Sequence, residues 1–545
     1  LNVQKLARLS VVALLVGCNL LTGADELTVR DGEELGGDDA SGGAPGNGGG
    51  PGQGPGPGPG PGPGAGGSTG EGAGNPVGPE GDATGVSIQE VAFYQGVKST
   101  VWANGGAQTP TVSIVAGRPA VVRVFASASG TSGAPVTARL ILGDNPPIEQ
   151  QVSSFGSPSE SSYGSTINFD VPGNLMASGS WRVEFVEPAE SSSPNPGANT
   201  GTSSLQMQQS KPLKVTLIPV QYQADGSNRM PDVSQGQVDL YRSGFMSQYP
   251  STDVIVEVGP TFAWGQTVSP GGGGWETLLN AITDERTGSN ADFDEYYYGI
   301  FSPASSFNAY CSGGCVLGLG WIGDPSAEYT RAAIGIGYTG VDAVETAVHE
   351  VGHNHGRPHS PCGGASGVDP NYPHAGGDIG VWGMNIFNHE MISPDEKDFM
   401  TYCHPQWISD YTFERILDFI GGTGAAIQYP AESLNQPYAR VAIGEDSATF
   451  LNDITLPRPP LSTGSADVET ITLTLADGST KTVSGHFFRY DHLPGGVLYV
   501  KQQASPILAL DAELDLSPVQ DEHAHDEHDG PSVVVAPKTL VQAVR

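Results

Sequence analysis

Hydrophobic and polar positions alternate along the chain in three successive textures. Residues 86–206 carry short period-two runs at 86–94, 119–125, 137–142, 165–171 and 181–186, separated by Gly, Pro and Ser clusters. Period-two alternation places every second side chain on one face. Several short runs at this spacing predict an immunoglobulin-like β-sandwich. No cysteine pair lies in this stretch to staple it. From residue 207 the pattern changes. Strands are expected at 213–220, 252–258, 296–301 and 332–337, and helices at 233–249, 275–286, 341–354 and 413–420. In the 341–354 segment Val341, Val344, Val348 and Val351 recur at i, i+3/i+4 spacing, the mark of one apolar helical stripe. Strands alternating with helices make 207–425 an α/β (α+β) domain. Strand patterns return at 439–443, 468–475, 480–483 and 496–500, with a hairpin turn at Ala476-Asp477-Gly478-Ser479. Residues 430–545 thus read as a second sandwich-like β domain. The fold class is multidomain: a central α/β domain flanked by N-terminal and C-terminal β-sandwich-like domains.

The first 85 residues obey another logic. Lys5 and Arg8 precede an apolar run over 9–16 that ends in Leu15-Val16-Gly17-Cys18. The run is too short to span a bilayer and predicts an export signal. Its end resembles the lipobox of bacterial lipoproteins, which implies cleavage before Cys18 and lipidation of that residue. Asn19 stands next, where Asp would favour inner-membrane retention, so an outer-membrane or cell-surface lipoprotein, with release to the medium as the alternative, is the expected location. Residues 19–85 are rich in Gly and Pro, with an acidic stretch at 25–39 and Pro-Gly repeats at 51–64. Such a segment buries too little apolar surface to offset ordering entropy and predicts a linker.

Charge narrows the partner classes. Acidic residues number 59 against 24 basic ones, a net charge of -35. That field repels phosphate backbones and excludes nucleic acid as an expected partner. No apolar run reaches 18 residues, so no membrane-spanning helix is predicted. Membrane contact is expected only through lipidated Cys18, and a monomer is expected.

The helix predicted over 341–354 carries the chemistry. Its His349-Glu350-Val351-Gly352-His353 run places two imidazoles one turn apart on one face. Both can converge on one Zn²⁺, while Glu350, displaced by about 100° around the helix, can reach water without entering the first coordination sphere. A bare H-E-x-x-H arises by chance in about one chain in a hundred of this length. The full run HEVGHNHGRPH extends to residue 359. Gly356 permits a left-handed helix end, and the turn brings His359 round as a third nitrogen ligand. His355, at odd spacing, is expected at the surface or behind the ligands.

This pattern resembles the metzincin metallopeptidases, whose zinc motif H-E-x-x-H-x-x-G-x-x-H precedes a Met-turn. Asp398-Phe399-Met400-Thr401-Tyr402 matches the latter. The resemblance implies that Met400 floors the ligand set and that Tyr402 ligates zinc or hydrogen-bonds the oxyanion. Further runs, His359-Ser360-Pro361-Cys362-Gly363-Gly364, Asp369-Pro370-Asn371-Tyr372-Pro373 and Trp407-Ile408-Ser409-Asp410-Tyr411, look like those of secreted bacterial metzincins related to the mucin-cleaving StcE-like group. The resemblance also implies one catalytic zinc on His349, His353 and His359, with Glu350 as general base. It implies an extended protein or glycoprotein substrate lying along an upper edge strand. Residues 316–322 are the candidate edge.

Apart from Cys18 there are four cysteines, Cys311, Cys315, Cys362 and Cys403, which allow three pairings. Export favours disulfides. Cys311 and Cys315 can close a small loop. On the metzincin reading Cys362 and Cys403 both lie near the metal floor, so a 362–403 bond is expected, with a cysteine zinc site as the alternative. His374, His389 and His404 are expected at the surface or hydrogen-bonded. The tract at 521–529, rich in His and acid, reads as a solvated loop, or else a loose metal binder. Two readings outside the peptidase class remain, a surface adhesin on an inactive metzincin scaffold and a peptidoglycan amidase. Intact Glu350 weighs against the first and the three-histidine spacing against the second.

Overall fold

The computed structural model describes residues 79–545 except 290, 423–429, 445–446, 461–465, 492 and 517–537. The signal, lipobox and linker expectations, and the His/acid tract at 521–529, therefore lie outside the described residues. Among the described residues no helix is long and apolar enough to cross a membrane.

Residues 80–205 build two antiparallel sheets. One pairs Val136–Leu142 with Gly179–Pro188 and Ile148–Val152. The other pairs Val86–Tyr94 with Gly96–Ala103 and Ala120–Ala128, and adds Ile167–Val171. The alternating apolar residues Val91, Phe93, Val122, Val124, Leu140, Val183 and Phe185 point inward and are almost fully buried. The second sheet does not end at the sandwich. Gly383–Asn385, from far downstream, pairs with it through Gly383 opposite Val97 and Met384 opposite Gly96.

The central domain keeps the alternating pattern. Strand β1 (Leu213–Tyr222) leads to helix α1 (Gln235–Gln248), β2 (Val254–Val258), α2 (Trp275–Gly288), β3 (Glu295–Phe301), β4 (Gly318–Gly320), β5 (Ala332–Ile336), α3 (Val341–Asn354) and, later, α4 (Asp410–Gly422). The sheet order is β2-β1-β3-β5-β4, with β2, β1, β3 and β5 parallel and β4 antiparallel at the edge. Parallel strands need crossover connections, and helices covering both faces explain their continuous apolar runs. α3 and α1 share one core with Tyr249, Phe399, Met400 and Phe413. α2 lies in the other core, with Trp321 and Ile334.

Two basic side chains are buried in the joints. Arg118 is wholly buried and donates to the carbonyls of Met246 and Ser251 at 2.6 and 3.0 Å and of Gln95 at 3.3 Å. It thereby ties the sandwich to α1. Arg440, 1% exposed, forms a bidentate pair with Asp284 on α2.

The C-terminal region is β-rich: one eight-stranded antiparallel sheet is built on Gln436–Ile443, Gly496–Lys501, Thr480–Arg489, Ala466–Leu475 and Ile507–Leu514. Its end strands Ala448–Phe450 and Thr539–Val544 lie against each other, so the sheet curls round its own core. Ile471, Leu473, Leu498 and Leu510 form a core within the sheet itself, while Tyr438, Phe488, Tyr490 and Tyr499 join the core of the central domain.

Candidate metal centre

α3 is positioned by its apolar stripe. Ala343, Val344, Ala347, Val348 and Val351 are buried, whereas Val341, in the first turn, is 59% exposed and lies outside the stripe. The Tyr249 hydroxyl donates to the Val348 carbonyl at 2.6 Å. The helix ends where the motif requires. Gly356 has φ 72°, its N–H donates to His353 O at 2.8 Å, and Arg357 N–H reaches Gly352 O at 3.2 Å. This left-handed cap turns the chain toward His359. His359 is then clamped on both sides: Asp369 N–H donates to its carbonyl at 2.7 Å, and its own N–H donates to Gly367 O at 3.2 Å.

The three imidazoles converge. The ring centroids of His349, His353 and His359 lie 4.7–5.3 Å apart, and one nitrogen of each lies within 4.8 Å of the others. Each Nδ1 meets a main-chain carbonyl: His349 that of Phe399 at 2.7 Å, His353 that of Arg357, and His359 that of Ser366. A carbonyl accepts only, so each Nδ1 holds the proton and each Nε2 keeps its lone pair. His349 Nε2 and His353 Nε2 are 3.2 Å apart. Two lone pairs repel at that separation unless a cation lies between them. A tetrahedral zinc with arms of about 2.0–2.1 Å sets its ligands about 3.3–3.4 Å apart, so the donor set and its spacing fit that ion.

The segment beneath the site is held by a buried carboxylate. Asp398 Oδ1 accepts from Met400 N–H at 2.8 Å and from the Ser360 hydroxyl at 3.1 Å, and Oδ2 accepts from Ser409 N–H at 3.0 Å. Met400 is fully buried in the core shared with α3. The Tyr402 hydroxyl stands 3.0 Å from His359 Nε2. A disulfide joins Cys362 to Cys403, with Cα atoms 5.7 Å apart, and tethers the His359 loop to this turn. A second joins Cys311 to Cys315.

Glu350 lies on the side of α3 facing edge strand β4. That approach depends on glycine. A Cβ at Gly318 would stand 2.2 Å from Glu350 Oε1, and one at Gly320 would stand 2.9 Å from the Glu350 carbonyl. Residues two apart on a strand share a face, so Gly318-Leu319-Gly320 presents bare backbone to the carboxylate. Glycine in a strand interior often marks such a close approach, and here the helix that approaches is α3.

The other histidines lie elsewhere. His355 is not at the surface. It is 2% exposed and stacks on Tyr296 at 4.6 Å, with Nδ1 on Val351 O at 2.8 Å. Its pKa is pushed down to about 3, chiefly by burial. His374 pairs with Asp410 at 2.6 Å and His389 with Asp170 at 3.0 Å. His404 is half-exposed, 3.9 Å from Glu345. One residue that no sequence motif marks enters the centre: Asp491, from the C-terminal sheet, places Oδ2 3.2 Å from His353 Nε2. Asp398 stands in the sequence only as one position of the Met-turn motif, and its role as a clamp emerges from the fold.

Comparison with known families bears on this region. Residues 324–409 match the family model Peptidase M66. The matched span holds the three converging histidines, Glu350, Met400, Tyr402 and the 362–403 disulfide, and the match supports a metallopeptidase. No curated protein matches the chain.

Proposed function

We propose that the chain is a zinc endopeptidase of metzincin type, acting on extracellular proteins or glycoproteins and held to the outer membrane or cell surface by lipidated Cys18. The observation that carries this reading is the convergence of three Nε2 lone pairs beside the Glu350 carboxylate. His349, His353 and His359 would hold the ion, which supplies Lewis acidity to polarise a carbonyl and acidify water. Glu350 takes the proton from the attacking water at its carboxylate and delivers it to the leaving amine. The Tyr402 hydroxyl, beside His359, donates to the developing oxyanion. β4 offers its outer edge to an extended substrate, whose main chain would pair with it.

Two measurements test this on the full chain. Metal analysis should give one zinc per molecule, lost in His353→Ala. Mass spectrometry of a protein and mucin-type glycoprotein panel should show fragments with the parent and none with Glu350→Gln. A folded chain without stoichiometric zinc, or cleavage that persists in Glu350→Gln, overturns the reading.

A further inference from the structure

The N-terminal sandwich holds a cavity of about 280 Å³, lined by Val101 from one sheet and by Trp181 and Leu205 from the other. That volume lies at the small end of ligand sites, about 300–1,000 Å³. The deep wall is apolar: Val101, Ile114, Trp181 and Leu205 are almost fully buried. The rim is polar: Thr109, Ser204, Gln206 and Gln208 are exposed. An apolar floor under a few polar groups is the usual build of a small-molecule site.

The chemistry of the wall says what would fill it. None of the lining residues is charged, although the chain carries a net charge of -35. Glu414 of α4 reaches the wall residue Ser113, but it is spent on that residue's N–H and hydroxyl. An ion leaving water needs a partner of opposite sign, so the wall favours a neutral ligand. Its main-chain groups are also taken. Gln108 N–H donates to Val101 O and Gln208 N–H to Ile114 O, each at 2.8 Å, and Ser203–Leu205 pairs with Gly179–Trp181. Strand pairing, the usual hold on an extended peptide, is therefore not what this wall offers. What it offers is side chains. Those of Thr109, Ser204, Gln206 and Gln208 make no hydrogen bond within the protein among the described residues. Gln108 spends its amide nitrogen on the Ala103 and Gly106 carbonyls and keeps its amide oxygen. Trp181 is 2% exposed, and its indole N–H likewise has no partner among the described residues. A donor so placed is costly unless something in the cavity accepts from it. Neutral donors and acceptors side by side over an apolar floor match the adjacent hydroxyls and the C–H face of a sugar ring.

We infer that this cavity binds a neutral saccharide of one or two rings. The amides and hydroxyls of the rim pair with ring hydroxyls, and the Trp181 N–H donates to an oxygen of the buried ring. The site needs nothing from the metal centre, and it gives the sandwich a recognition role of its own beyond the peptidase reading.

The test titrates the full chain with neutral hexoses, N-acetylhexosamines and their disaccharides, beside a uronic acid and an uncharged tripeptide. Binding is read by saturation-transfer NMR and calorimetry. The variants are Gln206→Ala, Gln208→Ala and the two together; both side chains are exposed, and urea unfolding checks that the fold is kept. The expected result is saturable binding of a neutral saccharide at one site per chain. The paired variant should bind at least fivefold more weakly, as the loss of two hydrogen bonds implies, while zinc chelation and Glu350→Gln leave binding unchanged. Two arms separate the sources. A neutral-glycan glycoprotein retained only before deglycosylation marks a protein-borne glycan, and a retained neutral polysaccharide marks a free one; either supports the site if the paired variant weakens it. No saturable saccharide binding, binding that the paired variant leaves unchanged, or preference for the uronic acid or the tripeptide would each overturn the inference. Peptide cleavage without saccharide binding would overturn this inference and leave the peptidase reading standing; saccharide binding without cleavage would do the reverse.

Discussion

Gly318→Ala separates the proposed general base, Glu350, from everything else in the centre. The added Cβ would stand 2.2 Å from Glu350 Oε1 and 2.5 Å from Cδ and Cγ, where ordinary contacts are about 3.5–4.0 Å. An overlap of more than about 1 Å on three atoms leaves the carboxylate no choice but to swing away. The backbone has no comparable difficulty, because Gly318 is not in the left-handed region and alanine accepts strand geometry. A Gly-to-Ala change at a compatible site gains about 0.4–1 kcal/mol from the unfolded state. That gain offsets part of the overpacking cost of the clash, about 1–3 kcal/mol, so folding stability should stay within about 3 kcal/mol of the parent, with metal content unchanged. Displacing a positioned general base costs about 10²- to 10⁴-fold in rate, or about 3–5 kcal/mol of barrier. The assay is kcat/KM on a quenched peptide, with urea unfolding and metal analysis on the same samples. Glu350→Gln supplies the reference and the double variant closes the cycle. If the glycine acts only by leaving room for Glu350, the double variant is no slower than Glu350→Gln alone. A Gly318→Ala enzyme within threefold of the parent, or fully additive losses, would refute the reasoning.

The packing sets three more expectations. Replacing Cys362 and Cys403 by Ser releases a loop of sequence separation 41; urea unfolding should show a loss of about 4 kcal/mol on the loop-entropy scale. His355 is held neutral by burial, with its pKa near 3 in the fold against about 6.5 in the unfolded chain. Below pH 6.5 the unfolded state binds the extra proton, so stability is full above that pH and lost as pH falls toward 3. Between pH 6.5 and 4 the loss is about 3 kcal/mol, and His355→Phe should flatten that part of the parental unfolding curve. Arg118→Leu leaves the carbonyls of Gln95, Met246 and Ser251 without their buried donor; a drop of about 3 kcal/mol is expected in the same assay.

How much the sequence discloses depends on the range of the forces involved. α3 is legible to the residue, 341–354, because its valine stripe and glycine-terminated end are local signals. The convergence of His349, His353 and His359 is legible because helix period and one left-handed turn dictate most of it. The glycines of β4 are visible but mute, since their meaning depends on which helix passes behind them. Asp491 is invisible. Arg489-Tyr490-Asp491 carries no motif, and its place beside His353 is set by aromatic packing of Tyr490 on Trp321 across a domain joint. How the C-terminal strands close on one another and on the central domain escapes the sequence for the same reason. Alternation tells which residues face inward, but not whether the surface they meet is a second sheet or a neighbouring domain.

The pairing of Gly383 and Met384 with Val97 and Gly96 bears on how this chain can be taken apart. The natural cut by composition, near residue 206, would sever main-chain ladder bonds and strip Arg118 from its carbonyls. It would also expose the edge of Gly383–Asn385 to chance pairing with other chains. A minimal fragment for expression or transplantation thus begins at the sandwich, near residue 80. The sandwich is a structural part of the catalytic unit's foundation, and the two have to be inherited, swapped or grafted together.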